Sequence, residues 1–326
     1  MTTKNNATAI RVDCIYIPVI SKIDLTNNTF DIKVDIDLSW QATNEDLENH
    51  QEDSVNYTPT FLPDLVFSNS CSVDTDRIIP EKKILYQMRE GNRIYIRHRF
   101  IGTLTNRYVI ENFPFDVQSL VFHMSLSYYD KTMAYFDTPK DKPYVYVPTR
   151  FTAVPGFALT RVIAGEVSPD NFSSMLTIIQ AERNVWPFFF RIFLPLLAIN
   201  FASLGVYSST DIANKIDVLI TTLLSFVGMI YILSTLVPMA GKGMLFDKYA
   251  MASIMICAIS IFSNSYLHHN TAFVLHVCFE IMLHLVFTIQ AYRCFRAATK
   301  RKEMSLEELA DGYDQFKPLT FGPTHS

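Results

Sequence analysis

Apolar and polar side chains alternate along the first half of the chain, most regularly in the segment DIKVDIDLSW at residues 31–40. From Ile32 to Trp40 every second residue is apolar, and the residues between them are charged or carry a hydroxyl group. A period of two residues predicts strands with one buried face, as in antiparallel sheets. Turn signals such as Gly91-Asn92 and Pro169-Asp170-Asn171 separate similar runs. Strands are predicted at 11–20, 31–40, 84–89, 93–104, 117–126, 157–164 and 175–183, and together they predict a β-sandwich over residues 1–185.

The second half of the chain changes to continuous apolar runs separated by short polar breaks. Each run is about the 20 residues that a helix needs to cross a bilayer. A four-helix transmembrane domain is therefore predicted over residues 186–295, with both termini on one side of the membrane. The tail at 296–326 contains Ser305-x-x-Glu308, a capping box that predicts a short final helix. The four predicted spans lie near 188–207, 212–238, 247–268 and 272–292.

The two halves together predict a multi-pass protein of the cell membrane with an extracellular or periplasmic N-terminal domain. The opening segment, MTTKNNATAI, lacks the apolar region of a signal peptide, so a signal removed beforehand is expected if this domain faces outward. Basic residues after the fourth span would by themselves favour the opposite orientation, but large domains cross membranes regardless of such charges.

Polar and small side chains follow one narrow stripe along the second predicted span. Their spacing alternates four and three residues, which repeats one face of a helix. A carboxylate on such a face is costly in lipid unless it lines water or meets a partner. The stripe predicts a pore wall, although Asp217 could instead end the helix at the membrane surface with Thr221 bonded to its own backbone. Its members are Asp217, Thr221, Leu224, Gly228, Tyr231 and Thr235.

Composition removes several classes of function. The 326 residues carry a net charge of −4, so the strongly basic surface expected of a nucleic-acid-binding protein is not indicated. The five cysteines include no C-x-x-C pair, and no histidine cluster has metal-ligand spacing, so neither a metal nor a cofactor is expected. A pairing of Cys14 with Cys71 is not favoured. An enzyme is disfavoured because no nucleophile with a base and no acid pair stands out.

The segment Asn112 to Gln118, NFPFDVQ, resembles the Pro-Phe-Asp turn of the pentameric ligand-gated ion channels, the Cys-loop receptor superfamily. Phe61 to Asn69 resembles the family's W-x-P-D-x-x-x-x-N segment, and Val34 to Trp40 its strand with a core tryptophan. Arg183 ends the last strand, and Lys215 opens the second span, as in the family. Asn106 and Leu120 stand where the family has its two loop cysteines, and the long insert between the third and fourth spans is missing, as in prokaryotic-type members.

The resemblance implies five identical subunits around one axis, with the lipid bilayer around them. Asp217 would form a ring of carboxylates that selects monovalent cations, because acidic rings line a pore with negative potential. Leu224 would form an apolar ring able to close the pore by dewetting, and Tyr231 a second gate. Lys215 would point away from the pore and pair with Asp211 or a neighbouring subunit.

The resemblance also implies how movement reaches these rings. Asp24 and Asp116 would surround Arg183 at a half-buried junction, and the connection from Pro238 to Lys248 would receive their movement. The residues expected to couple the sandwich to the pore are Asp24, Pro114, Phe115, Asp116, Arg183 and Lys248.

The stimulus stays open between protons and a small organic agonist. Histidines titrate near neutrality, although His98 alternates with inward-facing residues and is read as a core residue. Asp35 stands at a position that supplies an aromatic residue in amine-binding members, so a complete aromatic box is not evident, and arginines would favour a carboxylate ligand. The candidate ligand residues are Asp35, Tyr95, Arg97, Arg99, Tyr128 and Phe172.

Three other functions compete with a cation channel. The first is a membrane-anchored β-sandwich that binds a partner and conducts nothing. The second is an anion-selective channel of the same family, and the third is a four-span transporter. An anchor has no need of a polar stripe in one span. A four-span transporter would be expected to show broken helices or internal repeats, and neither is visible in the sequence.

Overall fold

The chain has a strand-rich N-terminal region with two sheets, followed by four membrane-length helices. This combination confirms the predicted order of a β-rich half and an apolar helical half. Two compact units result, and the first consists of Met1–Tyr108, Ser119–Ala181 and Met304–Ser326, while the second consists of Val109–Gln118 and Glu182–Glu303. The computed structural model describes residues 7–48, 57–71, 81–131, 133–137, 144–148, 154–167, 172–209, 211–236 and 244–311.

The larger sheet of the first unit consists of the strands β1 (Thr8–Asp24), β2 (Thr29–Gln41), β4 (Glu81–Glu90), β5 (Arg93–Thr105), β7 (Ala134–Asp137) and β8 (Tyr144–Tyr146). Its strand order is β4-β5-β2-β1-β7, and β8 also pairs with β1. Antiparallel pairing joins β1 to β2, β2 to β5 and β4 to β5, whereas β7 and β8 run parallel to β1. Gly91 forms the tight turn between β4 and β5 with φ at +55°, a conformation that suits glycine.

The smaller sheet consists of β3 (Leu65–Phe67), β6 (Val117–Asp130), β9 (Phe157–Glu166) and β10 (Phe172–Arg183). Its strand order is β3-β6-β10-β9, and it provides the other side of the core. The apolar residues that alternate along β2 are all buried, from Ile32 to Trp40, and Trp40 packs edge-on against Phe61. The alternation in the sequence therefore identifies the inner face of this sheet correctly. The predicted turn at Pro169-Asp170-Asn171 lies outside the described residues.

Four helical spans make up most of the second unit, and each is long and apolar enough to cross a membrane. The first span covers Trp186–Ser208, with a π-helical stretch at Phe189–Phe193 between α2 (Trp186–Phe188) and α3 (Leu194–Leu204). The second is α4 (Ile212–Leu236), the third α5 (Leu245–Tyr266) and the fourth α6 (His269–Glu303).

The fourth helix, α6, contains the predicted span at 272–292 and extends beyond it at both ends, from His269 to Glu303. Its extra turns, residues 293–303, are rich in Ala, Lys and Arg, which favour a helix but do not appear in a search for apolar runs. The predicted tail at 296–326 thus begins inside a helix, and residues 312–326 lie outside the described part. A five-residue helix, α1 (Asn44–Glu48), was also not predicted.

The short helix α7 (Leu306–Asp311) packs on the smaller sheet of the first unit. Its predicted capping box is present, because Ser305 N–H donates to Glu308 and Glu308 N–H donates to the Ser305 hydroxyl. Leu309 is buried in a cluster with Val121, Ile163 and Leu176. Helix α7 therefore covers the face of the smaller sheet that points away from the inter-sheet core.

Candidate functional site

Helix α4 has a buried face and an exposed face in the single chain. Lys215, Leu219 and Phe226 are buried against the other helices, whereas Leu224 and Tyr231 are each 71% exposed. About 200° separates positions i and i+2 of a helix, so Leu224 and Phe226 point in nearly opposite directions. Every member of the polar stripe from Asp217 to Tyr231 lies on the exposed face. The side chain of Thr235 lies outside the described part of the structure.

The exposed face of α4 carries hydroxyl oxygens near Thr221 and is unobstructed at Gly228. The Thr221 hydroxyl donates to the backbone oxygen of Asp217 at 2.9 Å, and the Ser225 hydroxyl donates to that of Thr221 at 2.9 Å. A hydroxyl that donates to the backbone keeps its lone pairs, so the Thr221 oxygen can still accept a bond from water or contact a cation. A Cβ added to Gly228 would meet nothing within 4 Å, so this part of the face is unobstructed.

Lys215 points to the opposite side of the helix. Its side chain is only 4% exposed, and its ammonium nitrogen lies 2.7 Å from Nδ1 of His269 at the start of α6. Asp211 does not supply the side-chain partner that the sequence suggested, because it instead bonds the backbone N–H of Ala213 and so caps α4. The only basic side chain of α4 is thus removed from the exposed face that carries Asp217.

Arg183 and Asp116 form a buried, two-bonded ion pair inside the second unit. Nε of Arg183 lies 2.7 Å from Oδ1 of Asp116, and Nη2 lies 3.0 Å from Oδ2. Their side chains are 6% and 1% exposed. Gln118 also donates its side-chain amide to Asp116 and is held by the backbone of Val109. Removing either charge would leave the other buried without its partner.

Aromatic rings surround this ion pair. The Arg183 guanidinium lies over the rings of Phe113 and Phe188 at 4.9 and 5.7 Å, distances that suit cation–π contacts. Phe113 precedes a cis peptide bond to Pro114 and also contacts Phe246 in the first turn of α5, with ring centroids 6.3 Å apart. The Pro-Phe-Asp turn is thereby packed against the beginnings of the first and third spans.

Asp24 and Lys248, which were also expected to couple the sandwich to the pore, belong to the first and the second unit, respectively. Asp24 closes its own turn by accepting bonds from Thr26 and Asn27. Partial burial disfavours the charged carboxylate, but these hydrogen bonds outweigh it and lower the pKa of Asp24. Lys248 is exposed in the first turn of α5, and the connection before residue 244 lies outside the described residues.

Phe115, the last of the residues expected at this junction, points its ring toward the far end of α6. Its centroid lies 6.5 Å from that of Phe295, and the two planes are nearly perpendicular. Such an edge-to-face contact suits two aromatic rings. The turn therefore also contacts the extra turns of α6 that the sequence did not predict.

The arginines suggested for a carboxylate ligand already bind acids of their own chain. Arg99 forks onto Asp35 with two bonds of 2.7 Å, and Arg97 forks onto Asp37 with bonds of 2.5 and 2.6 Å. The register of β2 against β5 places each arginine opposite its acid. A free carboxylate would have to displace one of these pairs. Tyr95 lies nearer the start of β5, opposite Ser39, and the side chains of Tyr128 and Phe172 lie outside the described part.

Sequence reasoning missed a polar row inside the helical unit. His276, Glu280 and His284 recur every four residues along α6, and all three face the bundle. An acid within an apolar span is itself a signal of function, so Glu280 could have been found in the sequence.

Among the described residues, no group of three His, Cys, Asp or Glu side chains could hold a metal ion. No protein-family model matches this chain.

Proposed function

We propose that this protein is a cation-selective channel formed by five copies of the chain, a prokaryotic-type member of the pentameric ligand-gated ion channel superfamily. Helix α4 lines the pore, and the N-terminal sandwich lies outside the cell or in the periplasm, on the same side as both termini. A small molecule or protons acting on the sandwich open the pore. The proposal rests first on α4 and second on the motifs that resemble the family.

The exposed stripe on α4 is the observation that carries the proposal. A spanning helix that only anchors a domain gains nothing by directing an acid, a hydroxyl and a glycine away from its own bundle, because those groups would then face lipid. Apolar side chains border the stripe on both sides and are also exposed in the single chain: Val218, Ile220, Val227 and Ile232. Contacts with neighbouring copies would cover these residues and leave the stripe facing a central pathway.

Cations are favoured over anions by the distribution of charge along α4. Asp217 is the only acid of this helix and lies on the exposed face, while the only base, Lys215, is buried against His269. A ring of five carboxylates attracts cations and repels anions within a Debye length of about 8 Å at physiological salt. Leu224 and Tyr231, the proposed gates, lie further along the same face.

The junction around Arg183 supports the proposed route from the sandwich to the pore. Strand β10 ends at Arg183, and the first span begins at Trp186, so movement of the strand reaches the helices along the backbone itself. The paired Asp116 belongs to the Pro-Phe-Asp turn, which contacts Phe246 at the start of α5 through Phe113. We propose that this turn, together with the connection that ends at Lys248, shifts α4 when the stimulus acts.

The ion pairs of Arg97 with Asp37 and of Arg99 with Asp35 disfavour a simple carboxylate agonist. Arg97 and Arg99 are each neutralised by a bidentate partner, and losing one such pair would offset the gain from binding a new carboxylate. Protons and other small organic ligands stay in competition for the role of stimulus.

Voltage-clamp recording of the expressed protein, across a pH series and then a ligand panel, tests the proposal. We expect currents whose reversal potential follows the gradient of monovalent cations. Asp217→Asn should move that reversal potential toward the chloride value by removing the acidic ring. Asp211→Asn is the matched control, because it also removes one carboxylate, but at the cap of α4, where an asparagine oxygen still accepts the bond.

Two results would contradict the proposal in different ways. Surface-expressed protein that carries no current under any condition would favour the membrane-anchored binding protein. Currents whose ion preference is the same in Asp217→Asn and wild type would overturn the assignment of Asp217 as the selectivity residue.

A further inference from the structure

A groove between α3 and α6 combines an apolar surface with two buried oxygens that have no donor. Its volume is about 520 Å³, within the range of small-molecule sites, and its walls include Phe201, Leu204, Ile281 and Leu285. Behind these side chains stand Asn200 and Glu280, which also line the groove. All of these residues belong to the helical unit.

The two polar side chains lack complementary hydrogen-bond donors. Asn200 gives its amide hydrogens to Tyr249 at 2.8 Å and to Ser253 at 3.1 Å, while its oxygen accepts nothing from the described residues. Oε2 of Glu280 likewise has no hydrogen-bond partner among them. Asn200 is 1% exposed and Glu280 is 5% exposed. A buried acceptor without a donor is costly, so both oxygens favour a ligand that donates hydrogen bonds.

Charge around Glu280 is also unbalanced. In the described part of the chain its only basic neighbours at ion-pair distance are two imidazoles, with Nε2 of His276 at 3.6 Å and Nε2 of His284 at 3.5 Å. No Lys or Arg of the described residues pairs with it. A cationic group placed here would therefore meet an acid that has no permanent counter-ion.

We propose that this groove binds a membrane-dissolved primary or secondary amine as its alkylammonium form, with the ammonium between Glu280 and Asn200 and the alkyl chain along the apolar wall. An ammonium carries a positive charge and several N–H donors, which matches one acid and two vacant acceptors. A neutral alcohol donates one bond without charge, and a quaternary ammonium carries charge without a donor. Neither satisfies the site.

The ion pair can form from either protonation state of the partners. If Glu280 holds a proton, the amine takes it, so that an O–H bond breaks and an N–H bond forms without any other reactant. If Glu280 is a carboxylate, an ammonium that already carries the proton pairs with it directly. The inference requires only insertion of the helices in a membrane and does not rest on the proposed channel function.

His284 controls access to the acid. Its side chain is 27% exposed, stacks on Phe201 with ring centroids 6.0 Å apart, and lies against Oε2. Because Oε2 is buried, His284 has to swing aside for the ammonium to reach it. Glu280 also lies about 16 Å along α6 from the first residue of the helix, roughly half of the hydrocarbon thickness, which is too deep for the amine of a lipid headgroup.

The test uses full-length protein reconstituted in phosphatidylcholine vesicles, whose own headgroup has no N–H donor. The probe is a decylamine that carries a photoreactive diazirine, and labelled positions are mapped on α3 and α6. We expect labelling of the groove that dodecylamine competes away and that dodecanol and dodecyltrimethylammonium do not. Glu280→Gln should weaken the labelling by about tenfold or more, because a charge-assisted hydrogen bond is lost.

Two further variants keep the outcome decisive. Glu303→Gln removes a carboxylate from the exposed end of the same helix and should label like the wild type. Leu204→Trp fills the groove without altering its acid and should lose the labelling even if Glu280→Gln fails to fold. Equal labelling of Glu280→Gln and wild type, or equal competition by dodecanol, would overturn the proposal and leave a groove that takes only neutral chains. Labelling is read without any current, so a negative electrical recording would not affect it.

Discussion

Arg183 and Asp116 illustrate how much of the second unit depends on one pair of side chains. Replacing either residue by a neutral amide, as in Arg183→Gln or Asp116→Asn, should lower the free energy of unfolding by about 3–5 kcal/mol, because a buried charge is left alone. The double variant should cost less than the sum of the two by about 2 kcal/mol or more, since neither charge is then stranded. Chemical denaturation in detergent, followed by Trp186 fluorescence in a Trp40→Phe background, measures these values.

The matched comparison is the ion pair between Lys302 and Glu182, at 2.7 Å on the surface of the same unit. Both of its side chains are about a third exposed, so Lys302→Gln should cost less than about 1 kcal/mol. Additive costs in the Arg183 and Asp116 cycle would show that the two residues act separately and would remove the structural basis for coupling through them.

His98 makes the stability of the sandwich depend on pH. Burial lowers its pKa to about 4, and the nearby Lys82 acts in the same direction. The unfolded chain takes up a proton near the ordinary pKa of about 6.5, whereas the folded chain does not until about pH 4. The stabilising contribution is therefore complete above pH 6.5 and falls as the pH drops toward 4, by about 3 kcal/mol at most.

A His98→Phe variant should lose this part of the pH dependence. The sandwich of the wild type should unfold at a lower denaturant concentration at pH 5 than at pH 7.5, and the difference should shrink in His98→Phe. Trp40 fluorescence in a Trp186→Phe background reports the unfolding. An unchanged difference between the two pH values would mean that other groups, such as His123, whose pKa burial also lowers, account for it.

At the scale of elements, α7 is small but covers an apolar cluster on the outer face of the smaller sheet. Leu309 is 3% exposed, a Cβ added to Gly165 would lie only 2.6 Å from Leu306, and Arg161 donates to the backbone oxygen of Met304 at 3.0 Å. Leu309→Ala should lower the stability of the sandwich by about 2 kcal/mol or more, as for other buried leucines. Ser305→Ala, which removes the cap of α7, should cost about 1 kcal/mol.

Unfolding of the sandwich, read from Trp40, measures both changes. Leu267→Ala provides the control, because this leucine is largely exposed at the end of α5 in the other unit and should leave the Trp40 transition in place. If Leu309→Ala behaves like that control, α7 does not stabilise the sandwich.

Elements in which apolar residues recur at a regular spacing could be predicted from the sequence, whereas elements that depend on pairing with a distant segment could not. The alternation in β2 and the four apolar runs gave their type and approximate place because burial repeats along them. Strands β7 and β8 have only four and three residues and pair with β1, so each is too short for a local pattern to mark it. The same limit applied to the site. The exposed stripe of α4 was readable as a period, whereas the pairing of Lys215 with His269 joins two distant helices.

The whole molecule is organised by repeated passage of one chain between two units. The chain passes from the sandwich to the helical unit at Val109, returns at Ser119, leaves again at Glu182 and returns at Met304. The first two passages lie on either side of the Pro-Phe-Asp turn, and the third lies at the end of β10. The fourth joins α6 to α7, so the last membrane-length helix, like the first, is connected directly through the backbone to the first unit. The first unit is therefore joined to the second by four passages of the backbone rather than by a single linker.

Ending the chain after Glu303 isolates the contribution of this last passage. The two tryptophans make the measurement direct, because Trp40 is buried in the sandwich while Trp186 lies at the start of the first span. We expect the Trp40 transition of the truncated chain to move to lower denaturant concentration, since Leu309 and its neighbours no longer cover the smaller sheet, while the Trp186 transition stays near its original place. The full-length chain with Leu309→Ala should show the Trp40 shift in part. A truncated chain whose Trp40 transition is unchanged would mean that the sandwich is complete without α7, and that the fourth passage adds nothing to its stability.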